Sequence, residues 1–227
     1  MSTNETDSLF KQPSCVDCGR FGCARGTKDY PDFCITVLEK EKLDDCLNET
    51  MADPTVMKIM KAASDASRRG SDEVLCRVEE IMDFARRMGY SRIGIASCYG
   101  LAKEARLVAK IFRIHDFDVY GISCKVGSVA KSDLGIDSNS CDHGAITCNP
   151  VAQAKLLNDA QTDFNVVIGL CVGHDTLFYM HSEAPCTTLV VKDRVSGHNP
   201  MGILNVVEGT SMYNRMLKPD ESFSPQK

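Results

Sequence analysis

The residues with the most chemistry in this chain of 227 residues are its cysteines, twelve in all, and their placement repeats. Arg92-Ile93-Gly94-Ile95-Ala96-Ser97 runs into Cys98, Asp118-Val119-Tyr120-Gly121-Ile122-Ser123 into Cys124, and Val166-Val167-Ile168-Gly169-Leu170 into Cys171. Each run has a strand's length, and the last is continuously apolar, as in strands covered on both faces. A thiol at the carboxyl end of such a strand stands where open α/β sheets collect ligands and catalytic groups. If the strands are parallel neighbours, the thiols share one rim. Cys148 joins them from a loop just before a helix start at Asn149-Pro150, where the positive end of a helix dipole lowers a thiol's pKa. A single core cysteine is most simply an inert apolar side chain; repetition at equivalent places argues for more.

More reactive types follow on the same side. His174 and Asp175 come directly after Cys171-Val172-Gly173, and a last strand over Thr187 to Val191 leads into Lys192-Asp193-Arg194 and the turn Ser196-Gly197-His198-Asn199-Pro200. Two functions are open. In the first, a metalloenzyme, Cys98, Cys124, Cys148 and Cys171 hold an iron-sulfur cluster or zinc. His174, Asp193, Arg194 and His198 then line the pocket, His174 moving a proton and Arg194 clamping an anionic small molecule; sulfur transfer or redox chemistry suits such a site. Three ligands instead of four would leave a metal position open to substrate. The second is a non-catalytic metal or small-molecule binding or sensor protein with structural zinc. Without a rim metal, Cys171 becomes a candidate nucleophile with His174 as its base.

Another cysteine set stands near the amino terminus. Cys15-x2-Cys18, Cys23 and Cys34 occupy a short glycine-containing stretch, a pattern suited to a closed tetrahedral thiolate site for zinc or a cluster. Cys141 and His143, in the polar loop from Lys125 to Thr147, are two more potential ligands, although an exposed loop carries such residues without function. Cys46, Cys76 and Cys186 read as packing or incidental.

Helices and strands alternate around these residues. Asp53-Pro54 opens a helix that continues toward Gly70. Ser71 opens a second, with Val74, Leu75, Val78, Ile81, Met82 and Ala85 in its apolar stripe and Gly89 as its stop. Leu101 to Ile114 and Asn149 to Ala160 give two more, and Asp175 is placed to cap a short one. The expected fold is α/β, a three-layer Rossmann-like open sheet, mostly parallel, with a small Cys-rich metal-binding segment. Expected boundaries are 1–50 for that segment, 51–204 for the α/β domain with its helical entry at 53–89, and 205–227 for a polar tail.

A formal net charge of −5 with no basic block argues against nucleic acid as an obligate partner. The polar start from Met1 to Pro13 and the lack of a long apolar run lead to the expectation of a soluble cytoplasmic protein without a membrane partner. Reduced thiols, metal ligation or thiol chemistry then account better than disulfides for the cysteines.

Taken together, Cys15-x2-Cys18-x4-Cys23, Ser97-Cys98-Tyr99-Gly100, Ile122-Ser123-Cys124-Lys125-Val126-Gly127, Cys171-Val172-Gly173-His174-Asp175, Lys192-Asp193-Arg194 and Gly197-His198-Asn199-Pro200 carry a resemblance. The chain resembles, from about Cys15 to Pro200, the bacterial and archaeal metal-binding protein family known as domain of unknown function 1847. What the resemblance implies is metal binding; it implies no particular activity.

Overall fold

The computed structural model describes residues 13–66, 68–69, 73–137, 144–209 and 214–217. The chain divides into two units, Met1–Ser64 and Asp65–Lys227.

In the first unit a single 3-10 turn, Cys15–Asp17, precedes α1 (Gly22–Arg25), α2 (Ile35–Leu38), α3 (Lys40–Ala52) and α4 (Pro54–Asp65). Asp53 caps α4 as its sequence suggests, its Oδ1 accepting from the Thr55 and Val56 amides at 2.8 and 3.2 Å. That helix stops well short of Gly70. Arg68–Arg69 (β1) instead pairs antiparallel with Glu73–Val74 (β2), so Val74 is a strand residue and not part of a helical stripe. Ser71 lies outside the described residues. The next helix, α5, begins at Arg77 because Glu79 reaches back to the Cys76 amide at 2.9 Å and closes the helix start there; it ends at Met88, before Gly89 in the left-handed region.

The sheet of the second unit explains why its strands are so apolar. Arg92–Ser97 (β3), Asp118–Ser123 (β4), Phe164–Ile168 (β5) and Cys186–Val190 (β6) form one parallel sheet in the order β4-β3-β5-β6. Side chains alternate between two cores. Ile93, Ile95, Val119, Phe164, Val166 and Ile168 pack with Ile81, Met82 and Ala85 of α5 and with Ala105, Val108 and Phe112 of α6 (Ala102–Ile114). On the opposite face Ala96 and Val167 pack with Ala154 and Leu157 of α7 (Pro150–Asp159) and Phe178 of α8 (His174–His181). This is the three-layer α/β arrangement the sequence predicts.

Chain direction across the sheet reverses at β3. From it the chain steps outward to β4, crosses back to β5 on the other side, and continues to β6. Right-handed crossovers then require helices on opposite faces, as observed. Such a reversal opens a crevice at the carboxyl ends of the two strands that flank it, here β3 and β5. Two strand boundaries differ from expectation. β5 ends at Ile168, since Gly169 (φ 63°) turns the chain, leaving Cys171 three residues beyond it; Cys186 is the first residue of β6. The cap of α8 is Gly173, with Asp175 in the first turn. Among the described residues no helix is long and apolar enough to cross a membrane.

Candidate functional site

Register builds the site. Ser97 and Ser123 are paired at the ends of β3 and β4, so Cys98 and Cys124 leave the sheet side by side. The ladder holds them: the Cys124 amide donates to Ser97 O at 2.8 Å, and the Cys98 amide to Ile168 O at 3.0 Å. Cys148 is brought to the same place by the start of α7. There the Asn149 amide donates to Cys124 O at 2.7 Å and the Asn149 side chain accepts from Ala152 N. One turn on, fully buried Gln153 donates from Nε2 to Ser97 O and Ile122 O at 3.2 and 2.7 Å, fastening α7 to both strand ends.

Three thiols therefore stand in a row. Cys98 and Cys124 belong to one packed cluster, Cys148 packs against it, and the Tyr99 amide donates to Cys124 Sγ at 3.3 Å. Cys98 and Cys124 are buried; Cys148 is half-buried and forms the accessible end. Their acidities diverge along the row. The hydrogen bond with Cys124, then burial, pushes the Cys98 thiol up to about 12. Cys124 is also raised, first by its bond with Cys148. Cys148 is lowered to about 7, mainly because Cys124 donates to its sulfur, with Lys125 adding a favourable charge and burial opposing. The arrangement concentrates thiolate character at the outer member.

Cations surround the row. Lys125 lies beside Cys148, its ammonium bonded to Ile146 O and 5.6 Å from the Tyr99 ring centre. Lys192 lies near enough to Cys98 to favour its thiolate, and passes over Gly169, where an added Cβ would come within 2.2 Å of Leu101 Cδ1 and 3.6 Å of Lys192 Cε. Cys171, half-buried, is near enough for its charge to act on Cys148, and its Sγ accepts from Arg194 at 3.4 Å. Sequence reading singled out Arg194 but gave Lys125, Lys192 and Gln153 no role at the thiols. A lysine directly after one strand-end cysteine and another two residues past β6 were the available signals.

Other predicted site residues have different neighbours. Asp193 shapes its own loop: Oδ1 accepts from Val195 N and Ser196 N at 2.9 and 3.2 Å, and its amide donates to His198 Nδ1 at 3.0 Å. That nitrogen is thus an acceptor. His198 itself sits at φ 70°, returning its amide to Asp193 O at 2.6 Å. His174 opens α8, its amide bonded to Cys171 O, but the side-chain partner of the Cys171 sulfur is Arg194. In the first unit, Cys15 and Cys23 are exposed and Cys18 and Cys34 half-buried. Among the described residues, no group of three or more His, Cys, Asp or Glu side chains is arranged to hold a metal ion, at the rim or in the first unit. Cys141 and His143 lie outside the described residues.

Fold and site define an open parallel α/β protein with a cysteine row at the point where its strand order reverses. A family model described as "Protein of unknown function (DUF1847)" matches residues 34–189, and the chain belongs to this family. All four rim cysteines fall inside the match, whereas Cys15, Cys18 and Cys23 precede it and Lys192 to His198 follow it. An uncharacterized protein of Methanocaldococcus jannaschii, MJ0455, is 36% identical over 192 residues, covering 84% of this chain and 92% of that protein. No solved structure matches the chain.

Proposed function

We propose that this protein acts on a small anionic molecule through its rim thiols, with Cys148 as the attacking thiolate, in sulfur-transfer or thiol redox chemistry. The observation that carries the reading is the contact row Cys98, Cys124, Cys148, which is buried at one end, accessible at the other, and bordered by Lys125, Lys192 and Arg194. In the sulfur-transfer form, the Cys148 thiolate attacks the outer sulfur of a persulfide R–S–SH. A bond forms between Cys148 Sγ and that outer sulfur to give Cys148–S–SH, the S–S bond of the donor persulfide breaks, and R–S⁻ leaves with the electron pair. Cations beside the row stabilise both the incoming anion and the departing thiolate.

A second reading keeps the metal. Contacting thiols are the soft donors that zinc and iron-sulfur clusters take, so Cys98, Cys124 and Cys148, with Cys171 as a fourth, are the residues that would hold one. A bound group would supply Lewis acidity or electron transfer. The sulfurs as placed do not form a ready ligand set, which makes the thiol reading the stronger. Cys15, Cys18, Cys23 and Cys34 remain our proposed closed structural site, one whose ion would contribute the order that a segment poor in buried residues lacks.

Metal analysis and an absorption spectrum of anaerobically purified protein, with iodoacetamide labelling of each cysteine, decide between these. The thiol reading expects Cys148 to label faster than Cys98 and Cys124, and any bound metal to persist in Cys148→Ser. Stoichiometric metal that is lost in Cys148→Ser but retained in Cys18→Ser would establish the rim metal instead.

A further inference from the structure

We propose that Cys124 and Cys148 are a working dithiol pair that closes to a disulfide, with a small-molecule disulfide as the oxidising substrate; the proposal rests on the thiol reading above. Three features of the geometry point to this pair. Cys148 packs against the cluster that holds Cys124, and their main chains are tied by the bond from Asn149 N to Cys124 O at 2.7 Å, which keeps the two cysteines adjacent. Disulfide formation needs sulfurs drawn to about 2.05 Å with Cα atoms within about 7 Å, which only such neighbours meet without moving backbone. The burial is also asymmetric. Cys148 is half-buried and open to attack by or on a solute, while Cys124 is 2% exposed and can be reached only through its neighbours. An accessible thiol with a buried one behind it is the division of labour between an attacking and a resolving cysteine.

Cys124 could in principle close with Cys98 on its other side. Cys98 is itself only 6% exposed and Cys124 2%, so an incoming disulfide cannot reach that pair first. Cys171 is accessible and near Cys148, but its sulfur is engaged by Arg194 and its backbone has no hydrogen bond to the Cys148 segment of the kind that joins Asn149 to Cys124.

The steps balance. Cys148 thiolate attacks one sulfur of R–S–S–R, forming Cys148–S–S–R and releasing R–S⁻. Cys124–SH then attacks Cys148 Sγ, the S–S bond between Cys148 and the R–S group breaks, and the Cys124 proton leaves on the second R–SH. Two protein thiols lose two electrons, and the substrate disulfide gains them.

The test uses the full chain, reduced and then incubated with oxidised glutathione, trapped by alkylation in denaturant and mapped by mass spectrometry. Wild type is expected to give a peptide linking Cys124 and Cys148 and to release two glutathione thiols per chain. Cys124→Ala, and independently Cys124→Ser, should stop with glutathione bound to Cys148 and one thiol released. A wild-type protein that keeps glutathione on Cys148 while Cys124 stays reduced, or that links Cys148 to Cys171 or Cys98 to Cys124, overturns the proposal. Iodoacetamide labelling separates the two levels of failure. Fast labelling of Cys148 without the linked peptide removes the dithiol pair and leaves the thiol reading standing; Cys148 labelling no faster than Cys98 and Cys124 removes both.

Discussion

The chain carries two groups of four cysteines, and they are built in opposite ways. At the sheet rim the backbone is fixed before the thiols matter, by strand register, ladder bonds at 2.8 and 3.0 Å, and a helix start bolted to two strand ends. In the first unit Cys15, Cys18, Cys23 and Cys34 sit on a single turn and on helices of four residues, and Gly22 is the one buried residue described between Pro13 and Cys34. Order at the rim comes from burial of apolar strands, so free thiols hold their places. The amino-terminal group has little apolar surface to bury and needs another source of order, the role proposed for an ion. Equal cysteine counts therefore stand on a preorganised backbone in one place and on short, exposed turns in the other.

Two glycines test that contrast most strongly. A Cβ at Gly169 would meet Leu101 Cδ1 at 2.2 Å on a backbone with φ 63°, beneath Lys192. Gly169→Val should destabilise the second unit by about 3 kcal/mol, the sum of overpacking and a β-branched residue at positive φ. At Gly22 a Cβ would meet Asp29 O at 2.3 Å and the Asp29 carbonyl carbon at 2.9 Å, backbone atoms that cannot swing aside. Gly22→Val should raise proteolysis of the first unit and leave the main thermal unfolding midpoint unchanged. Equal midpoint losses in both variants would mean that the units do not differ in the way proposed.

Legibility in the sequence followed the same divide. Strand-end cysteines could be read because short apolar runs between helical patterns announce parallel strands, and the sheet then dictates what lies at their ends. Cys98 and Cys124 lie in one packed cluster with Cys148 against it, and Cys171 follows the turn at Gly169. What it missed were side chains that reach across the fold. Lys192 reaches the rim from two residues past β6, and Gln153 joins two strands from a helix whose apolar face gave no reason to expect an amide. The helix placed at Ser71 failed for a local reason: a helical stripe can be extended backward through Val74 and Leu75 on periodicity alone, but the capping contact between Cys76 and Glu79 fixes the start.

Within the rim, the next largest effect concerns Cys124 as hydrogen-bond donor to Cys148. Cys148 is lowered to about 7 chiefly by that donor, so its labelling by iodoacetamide should rise with pH through a midpoint near 7. Removing the donor in Cys124→Ala should move the midpoint toward the ordinary thiol range and slow labelling at neutral pH by roughly tenfold. An unchanged midpoint would transfer the effect to Lys125, which Lys125→Met then measures.

The amino end of the sheet supplies a smaller effect with a defined sign. Burial alone would raise the Asp163 carboxyl, but the amides of Arg92 and Ser91, both at 2.8 Å, and the Ser91 hydroxyl outweigh it and hold it below the usual carboxylate range. A depressed folded-state pKa gives stability that is complete above the unfolded value near 4 and is lost as pH falls through the folded value. Asp163→Asn should therefore cost about 1 kcal/mol at pH 7 by urea titration. Its stability should then fall less than wild type's between about pH 4 and pH 2. Rim labelling of Cys148 should not change, since this pin lies at the far end of β3.

Cys76 belongs to neither cysteine group and gives the smallest expected change, opposite in sign to the others. It is exposed and precedes Arg77, at the position where a helix prefers a side-chain oxygen that accepts from an open amide of the first turn. Glu79 already supplies half of the reciprocal arrangement by accepting from the Cys76 amide at 2.9 Å, and sulfur is a weak acceptor for the other half. Cys76→Ser keeps the size and supplies the oxygen, so it should stabilise the second unit by about 0.5 kcal/mol, read as a rise in urea midpoint at constant slope. The rim thiols should label at wild-type rates, because α5 packs on the face of the sheet opposite α7. Loss of stability in this variant would mean that Cys76 makes a contact worth more than a helix cap, and that a cysteine of the second unit away from the rim has a structural role.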